Sequence, residues 1–205
     1  MAERLAFLDV DTQVDFMLPS GKLYVPGAEQ IIPNLQKLFA WAREHGVPVI
    51  SSADAHPPDD PSFREWPPHC VVGTPGQQRI PETLLPHSIV VPNKRGAFEV
   101  PEQWSGQWIV EKQEYDVSTN VNFAEMIAAL GPRRFVVFGV ATEYCVLSSV
   151  LALRRRQIPV DLVVDAIRPI TEEGGQKAIN QMRGAGARLV KTGDVLMTEV
   201  SPTSE

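Results

Sequence analysis

The feature that most constrains this chain is a regular alternation of short apolar runs with segments of helical period. Apolar runs bounded by turn residues predict strands at Leu5–Val10, Val47–Ser51, Trp108–Val110, Phe135–Phe138, Val160–Val164 and Arg188–Val190. Between them the spacing predicts helices over Glu29–Glu44, with Ile31, Ile32, Leu35, Leu38 and Phe39 on one stripe, and over Phe123–Leu130, Val146–Arg154 and Glu172–Arg183. His45-Gly46, Leu130-Gly131-Pro132 and Arg183-Gly184 supply helix stops. Strands apolar on both faces must be covered on both faces. The expected fold is therefore a three-layer α/β structure: a mostly parallel twisted sheet of about six strands with helices on both sides. In such sheets, sites form outside the carboxyl ends of the strands, so chemistry is sought there.

Composition narrows the function classes. With 205 residues, 43% hydrophobic and 21% charged, the chain is long enough for one domain, residues 1–205, around one core. Nineteen basic against 25 acidic residues give a net charge of −6, which argues against a nucleic-acid surface or an anionic membrane as partner. The basic cluster Arg154, Arg155 and Arg156 ends a predicted helix, where cations complement the dipole. No apolar run reaches the roughly 20 residues needed to span a bilayer, and the start MAERLAFLDVD has no signal-peptide pattern, so a cytoplasmic location is expected. Two cysteines, Cys70 and Cys145, are too few for a disulfide scaffold. Residues 53–92 hold many of the 18 prolines and read as a long ordered loop, and residues 92–106 as a hairpin or other excursion.

Cys145 follows the strand Phe135–Phe138 and opens an apolar helix, which is where a nucleophile would sit. A helix N-terminus offers positive potential and backbone N–H groups, so a lowered thiol pKa is expected there. A buried cysteine with no chemistry is the competing reading. The first strand runs into DTQVDF, placing Asp9, Asp11 and Asp15 near its end, with Asp11 best placed to project at the rim and exchange a proton with a thiol. Alone, Asp11 is equally well read as a turn cap. The third strand ends at Lys112, which would favour a neighbouring thiolate; Lys94 is a rival, and spacing alone does not separate them.

The second strand leads into Asp54 and His56, two residues apart and so on one face of an extended chain, with His69 following in WPPHC. Carboxylate plus two imidazoles suits one divalent transition metal ion, zinc, iron or manganese, with positions left open.

Together the fragments DTQVDF, DAH, WPPHC followed by VVGTPG, EKQEYDVST and GVATEYCV resemble, in order and over nearly the whole chain, the nicotinamidase and isochorismatase-like cysteine hydrolases. The resemblance implies a catalytic triad of Asp11, Lys112 and Cys145, selecting Lys112 over Lys94 by its order in the chain. It also implies a cis peptide bond joining Val140 to Ala141 and an oxyanion hole made by the backbone N–H groups of Ala141 and Cys145. The set Asp54, His56 and His69 points to the nicotinamidase branch, in which the ion holds the pyridine nitrogen. Some members add a ligand from the intervening loop, which here offers Asp59, Asp60, Ser62 and Glu65 but no further histidine. Phe16 and Trp66 resemble the aromatic residues that flank nicotinamide, although Trp66 also reads as a loop anchor. The implied activity is metal-assisted hydrolysis of a small carboxamide through a cysteine thioester, nicotinamide to nicotinate and ammonia, in NAD metabolism. The alternatives are a related hydrolase acting on another amide or ureide, and a non-catalytic binding protein on the same fold. A small-molecule amide is the expected partner, and the family implies a homo-oligomer.

Overall fold

The structure is a computed structural model that describes residues 4–99, 106–132 and 134–199. Seven strands, β1 (Leu5–Val10), β2 (Val49–Asp54), β3 (Ser88–Val91), β4 (Gln107–Lys112), β5 (Arg134–Val140), β6 (Val160–Arg168) and β7 (Arg188–Val190), pair in the order β3-β4-β2-β1-β5-β6-β7, every pair parallel. The helices are α1 (Val14–Met17), α2 (Ile32–Glu44), α3 (Phe123–Leu130), α4 (Leu147–Arg155), α5 (Glu172–Gly184) and α6 (Thr192–Leu196). None of them is long and apolar enough to cross a membrane.

Strand side chains alternate between two cores, as a pleated sheet covered on both faces requires. On one face, Phe7, Val49 and Phe138 pack with Leu35, Leu38, Phe39 and Trp41 of α2 and Val195 of α6. Phe7 stacks on Trp41 at 5.7 Å and meets Phe138 edge-on at 5.6 Å, so one residue of β1 ties the sheet to α2. On the other face, Leu8, Val10, Ile50, Trp108 and Val137 pack with Phe123 and Met126 of α3, Val150 and Leu153 of α4, and Ala178 and Met182 of α5. Burying each large apolar side chain contributes about 1.5–3 kcal/mol, which makes these two layers the main stabilising term.

Three expectations are corrected. The sheet has a seventh strand: β3 sits at the edge beside β4, inside the stretch read as one long loop. Its exposed Ser88 and Val90 disguise it, because an edge strand need not be continuously apolar. The helix expected from Glu29 starts as a 3-10 turn over Ala28–Ile31 and becomes α-helical only at Ile32, with Pro33 tolerated in the first turn because its missing N–H has no helical acceptor. The second strand runs over Val49–Asp54, later than expected, which carries Asp54 to its last position. Of the excursion placed at residues 92–106, the described part, 92–99 and 106, contains no strand, and residues 100–105 lie outside the described residues.

The order of strands creates the crevice. From β1 the chain passes to β2, out to the edge strand β3 and back to β4 between them, then crosses to β5 on the other side of β1. The carboxyl ends of β1 and β5 therefore lead away in opposite directions, and the gap between them is where an open α/β sheet can admit a ligand.

Candidate active site

Four strand ends meet at this crevice. Val10, the last residue of β1, is in register with Gly139 of β5, and Asp54 of β2 with Lys112 of β4. Asp11 follows immediately, at φ +49, a left-handed conformation that aspartate tolerates better than most residues. That turn ends the strand, and Asp11 N–H donates to the Ser52 carbonyl and to Ser52 Oγ, both at 3.3 Å. Gly139 is required on the facing strand: at φ +115 any Cβ would lie 2.1 Å from the Val10 carbonyl oxygen. Only glycine lets β5 pass this close to the base of Asp11.

Beyond Gly139 the Val140–Ala141 peptide bond is cis. Cys145 sits in a single π-turn, Thr142–Val146, that precedes α4. Tyr144 and Val146 N–H both donate to the Ala141 carbonyl, at 3.1 and 3.2 Å. Lys112 is wholly buried, and its ammonium is the hub. It lies 2.8 Å from Asp11 Oδ2 and 3.6 Å from Cys145 Sγ, and it donates to Asp54 Oδ1. The acceptor atoms of Asp11, Asp54 and Cys145 all lie within 4.8 Å of one another. Asp11 Oδ1 accepts from Ser52 Oγ at 2.6 Å. The three residues of the expected triad thus come together. Lys94 is exposed, its backbone N–H bonded to Pro92, on the distant irregular segment.

One ammonium cannot neutralise two carboxylates and a thiolate, and the titrations follow. Burial disfavours the Lys112 ammonium, but Asp11 and Asp54, with Cys145 behind them, outweigh it and hold the lysine well above its ordinary pKa. Asp54 goes the other way: burial is outweighed by Lys112 and then by the neighbouring imidazoles of His56 and His69, leaving it an anion far below the carboxylate range. Asp11 is raised, chiefly by burial and then by Asp54, against the pull of Lys112. The lowered Cys145 pKa expected from a helix N-terminus is overturned. Burial pushes the thiol well up, and Asp11 and Asp54 add to this against Lys112. The site therefore holds a protonated thiol next to a carboxylate more basic than usual.

His56 and His69 stand beyond Asp54. Their Nε2 atoms lie 3.5 and 3.7 Å from Asp54 Oδ2, and the rings are 4.8 Å apart. Each Nδ1 is held by an atom that can only accept, Asp60 Oδ2 at 3.0 Å for His56 and the Pro67 carbonyl at 2.8 Å for His69. Nδ1 then carries a proton, and each ring in its neutral form presents its Nε2 lone pair to the space beside Asp54. His56 Nε2 is buried and hydrogen-bonded to nothing among the described residues. A carboxylate and two imidazoles so arranged, one with an orphaned inward nitrogen, fit a divalent transition metal ion. Asp60 serves His56, and Asp59 and Glu65 are exposed, so none of these joins the cluster.

A family model for the isochorismatase domain matches residues 6–194. The chain belongs to the isochorismatase family. It is 25% identical to a nicotinamidase of Escherichia coli (strain K12), over 92% of this chain and 95% of the relative. Among solved structures it resembles a pyrazinamidase of Pyrococcus horikoshii in complex with zinc, at 29% identity and a TM-score of 0.76, covering 92% of this chain and 99% of the other. An isochorismatase-like hydrolase from Alkaliphilus metalliredigens superposes at 26% identity and a TM-score of 0.79, covering 94% and 97%.

Over the cluster opens a cleft of about 410 Å³, part of it solvent, walled by Phe16, Leu23, Val25, Trp66, Tyr115, Tyr144 and Ile170. Phe16 packs on His69 at 5.4 Å, and Trp66 meets Tyr144 edge-on at 5.4 Å while donating from Nε1 to Tyr115 Oη at 3.0 Å. Trp66 is thus both a cleft wall and a loop anchor. The reading of the sequence passed over Gln13 and Glu143, which hold this arrangement, and gave Asp15 a place but no role. Gln13 grips both backbone groups of Asp54, accepting from its N–H at 2.7 Å and donating to its carbonyl at 2.9 Å. Glu143, two residues before Cys145, accepts from Ile170 and Thr171 N–H at 3.0 and 2.9 Å, tying the Cys145 turn to the far wall. Asp15 accepts from Lys22 and Cys70 N–H, and a Cβ at Gly76 would strike its carboxylate at 2.1 Å. Polar residues inside a recurring motif were the available signal, but their partners lie far along the chain.

Proposed function

We propose that this protein is a cysteine amidohydrolase that cleaves a small uncharged heteroaromatic carboxamide, nicotinamide foremost, to the acid and ammonia. The observation that carries the reading is the convergence of Asp11, Lys112 and Cys145 at the floor of an aromatic-walled cleft. The likeness to nicotinamidases and to a zinc-bound pyrazinamidase supports the substrate class.

Asp11 takes the proton of the Cys145 thiol as sulfur attacks the amide carbon. The raised Asp11 pKa suits this role, because a more basic carboxylate is a better partner for a high-pKa thiol. Lys112 keeps its charge throughout and holds carboxylate and sulfur in register. The carbonyl oxygen, now negative, is received by Ala141 and Cys145 N–H, a single such donor being worth about 3 kcal/mol in the transition state. Asp11 then returns its proton to the departing nitrogen, the C–N bond breaks, and ammonia leaves a thioester on Cys145. Asp11, again a carboxylate, takes a proton from an incoming water whose oxygen attacks the thioester carbon. Breaking the C–S bond releases the acid, and the departing sulfur takes the proton back from Asp11, which restores the thiol and the carboxylate. Asp54, His56 and His69 would hold a divalent ion, which supplies positive charge and Lewis acidity at the cleft wall. Phe16 and Trp66 supply flat apolar surface for a ring.

The test is ammonia release from nicotinamide, pyrazinamide, carbamoyl amides and ureides, with Cys145→Ala as the blank. Fastest turnover on nicotinamide or pyrazinamide supports the reading. Turnover confined to carbamoyl compounds or ureides assigns the same chemistry to another amide, and turnover equal to the blank on all of them removes the enzyme assignment.

A further inference from the structure

Asp60 lies in the loop between the two histidines, and its carboxylate is fully engaged. Oδ1 accepts from Ser62 N–H at 2.9 Å and Ser62 Oγ at 2.6 Å, starting the short 3-10 helix Pro61–Arg64. Oδ2 faces His56 Nδ1 at 3.0 Å. Phe63, on the same short helix, packs against His56 at 5.5 Å and His69 at 5.8 Å, closing one side of both rings. The two imidazoles are thus held unequally. His69 relies on the neutral carbonyl of Pro67, whereas His56 leans on a charged group that is itself pinned in place. A charged acceptor on the outer nitrogen fixes ring orientation and tautomer more firmly than a neutral one and makes the inner nitrogen a better donor. The inner nitrogen it would serve is the buried, unpartnered Nε2.

We propose that Asp60 is a positioning residue for the cation site, locking His56 with its Nε2 lone pair toward the ion and so setting how tightly that ion is held. This rests on the reading of Asp54, His56 and His69 as ligands. The loop then contributes ion affinity through the outer face of His56, in place of a fourth ligand.

The experiment is a zinc titration of chelator-stripped protein in competition with a chromophoric chelator, with no substrate present. Asp60→Ala is expected to weaken zinc binding about ten- to a hundredfold. Asp60→Asn keeps one oxygen for Ser62, and asparagine starts a helix as well as aspartate does, so it folds; its amide NH2 replaces the acceptor at His56 Nδ1, so zinc binding should weaken at least as much as in Asp60→Ala. Asp59→Asn removes the same charge from an exposed neighbour and should leave zinc affinity unchanged. Asp60 variants within twofold of wild type, or an equal loss in Asp59→Asn, would overturn the proposal. If His69→Ala binds zinc as tightly as wild type, the ion site itself is wrong, and the proposal falls with it.

Discussion

Strand β1 feeds two buried charge clusters built from the same ingredients, one around Asp9 and one around Asp11. Asp9 pairs with the buried guanidinium of Arg79 and accepts from Thr12 Oγ1 at 3.0 Å and Ser51 Oγ at 2.9 Å. Arg79 also donates to the Ser52 and Thr83 carbonyls, and Gln107 closes the ring by donating to Ser51 Oγ and the Thr83 carbonyl, both at 2.8 Å. Charge is balanced one to one, and every hydrogen-bonding group named here has a partner. Around Asp11, two carboxylates and a thiol share one ammonium, and the cluster opens to the cleft. The difference teaches what separates a structural ion cluster from a reactive one. The first is electrostatically complete and pins the loop carrying Arg79 and Thr83 to the sheet. The second is left one positive charge short beside a space that admits a ligand, and burial together with that shortage keeps a proton on sulfur.

The largest effect that would break this contrast is on Cys145. Cys145→Ala should reduce ammonia release to background while the thermal transition stays close to wild type, since the side chain contributes little packing. Asp11→Asn should lower kcat by about 10²–10⁴-fold, the range of a lost general base. Its stability should not fall, because a group whose folded pKa is raised destabilises the folded state once ionised, and the amide removes that cost. A clear loss of Tm in Asp11→Asn would make Asp11 a structural residue like Asp9. Arg79→Leu should do the opposite, leaving Asp9 buried without its counter-ion at a cost of about 3–5 kcal/mol, read by urea denaturation. Should Arg79→Leu prove as stable as wild type, the Asp9 cluster is not the structural partner claimed.

Acidification sharpens the comparison within the site. The raised Asp11 pKa places the acid limb of kcat/KM above the ordinary carboxylate range, activity falling as pH drops through it. Asp54 is lowered, so the stability it contributes is present above the ordinary carboxylate pKa and lost only as pH falls toward its depressed value. Activity should therefore vanish before the circular dichroism of the fold changes, and coincident loss would contradict the assignment. Glu143→Ala should raise KM and lower kcat about tenfold through the loosened Ile170 wall, with Glu143→Gln nearer wild type. The smallest effect belongs to Lys94→Ala, whose turnover should stay within twofold of wild type; a large loss there would undo the choice of Lys112.

How far the sequence could be read follows from how local each determinant is. The inner strands and the main helices were legible because burial on both faces writes continuous apolar runs, and the short edge strand β7 because Leu189 and Val190 follow the Arg183-Gly184 helix stop. Edge strand β3 was not, since one of its sides meets solvent. Asp11, Lys112, Cys145, Asp54, His56 and His69 were legible as residues at or shortly after strand ends, in motifs whose order resembles that of the family. The partners that hold them were not: Gln13 with Asp54, Glu143 with Ile170 and Arg79 with Asp9 are joined across 41, 27 and 70 residues. The direction of the Cys145 pKa was misread because helix position is a local property, whereas burial and two carboxylates brought in from other strands are not.

The sequence by itself determined the layered parallel sheet, because apolar period and strand termination act over a few residues, while the groups at its carboxyl edge were named by the resemblance of its motifs to a family. Only the tertiary structure decided that those groups share a single ammonium, that the thiol stays protonated and that Asp60 stands behind His56. Electrostatic energy in a buried site depends on distance through space, and distance along the chain carries almost no record of it.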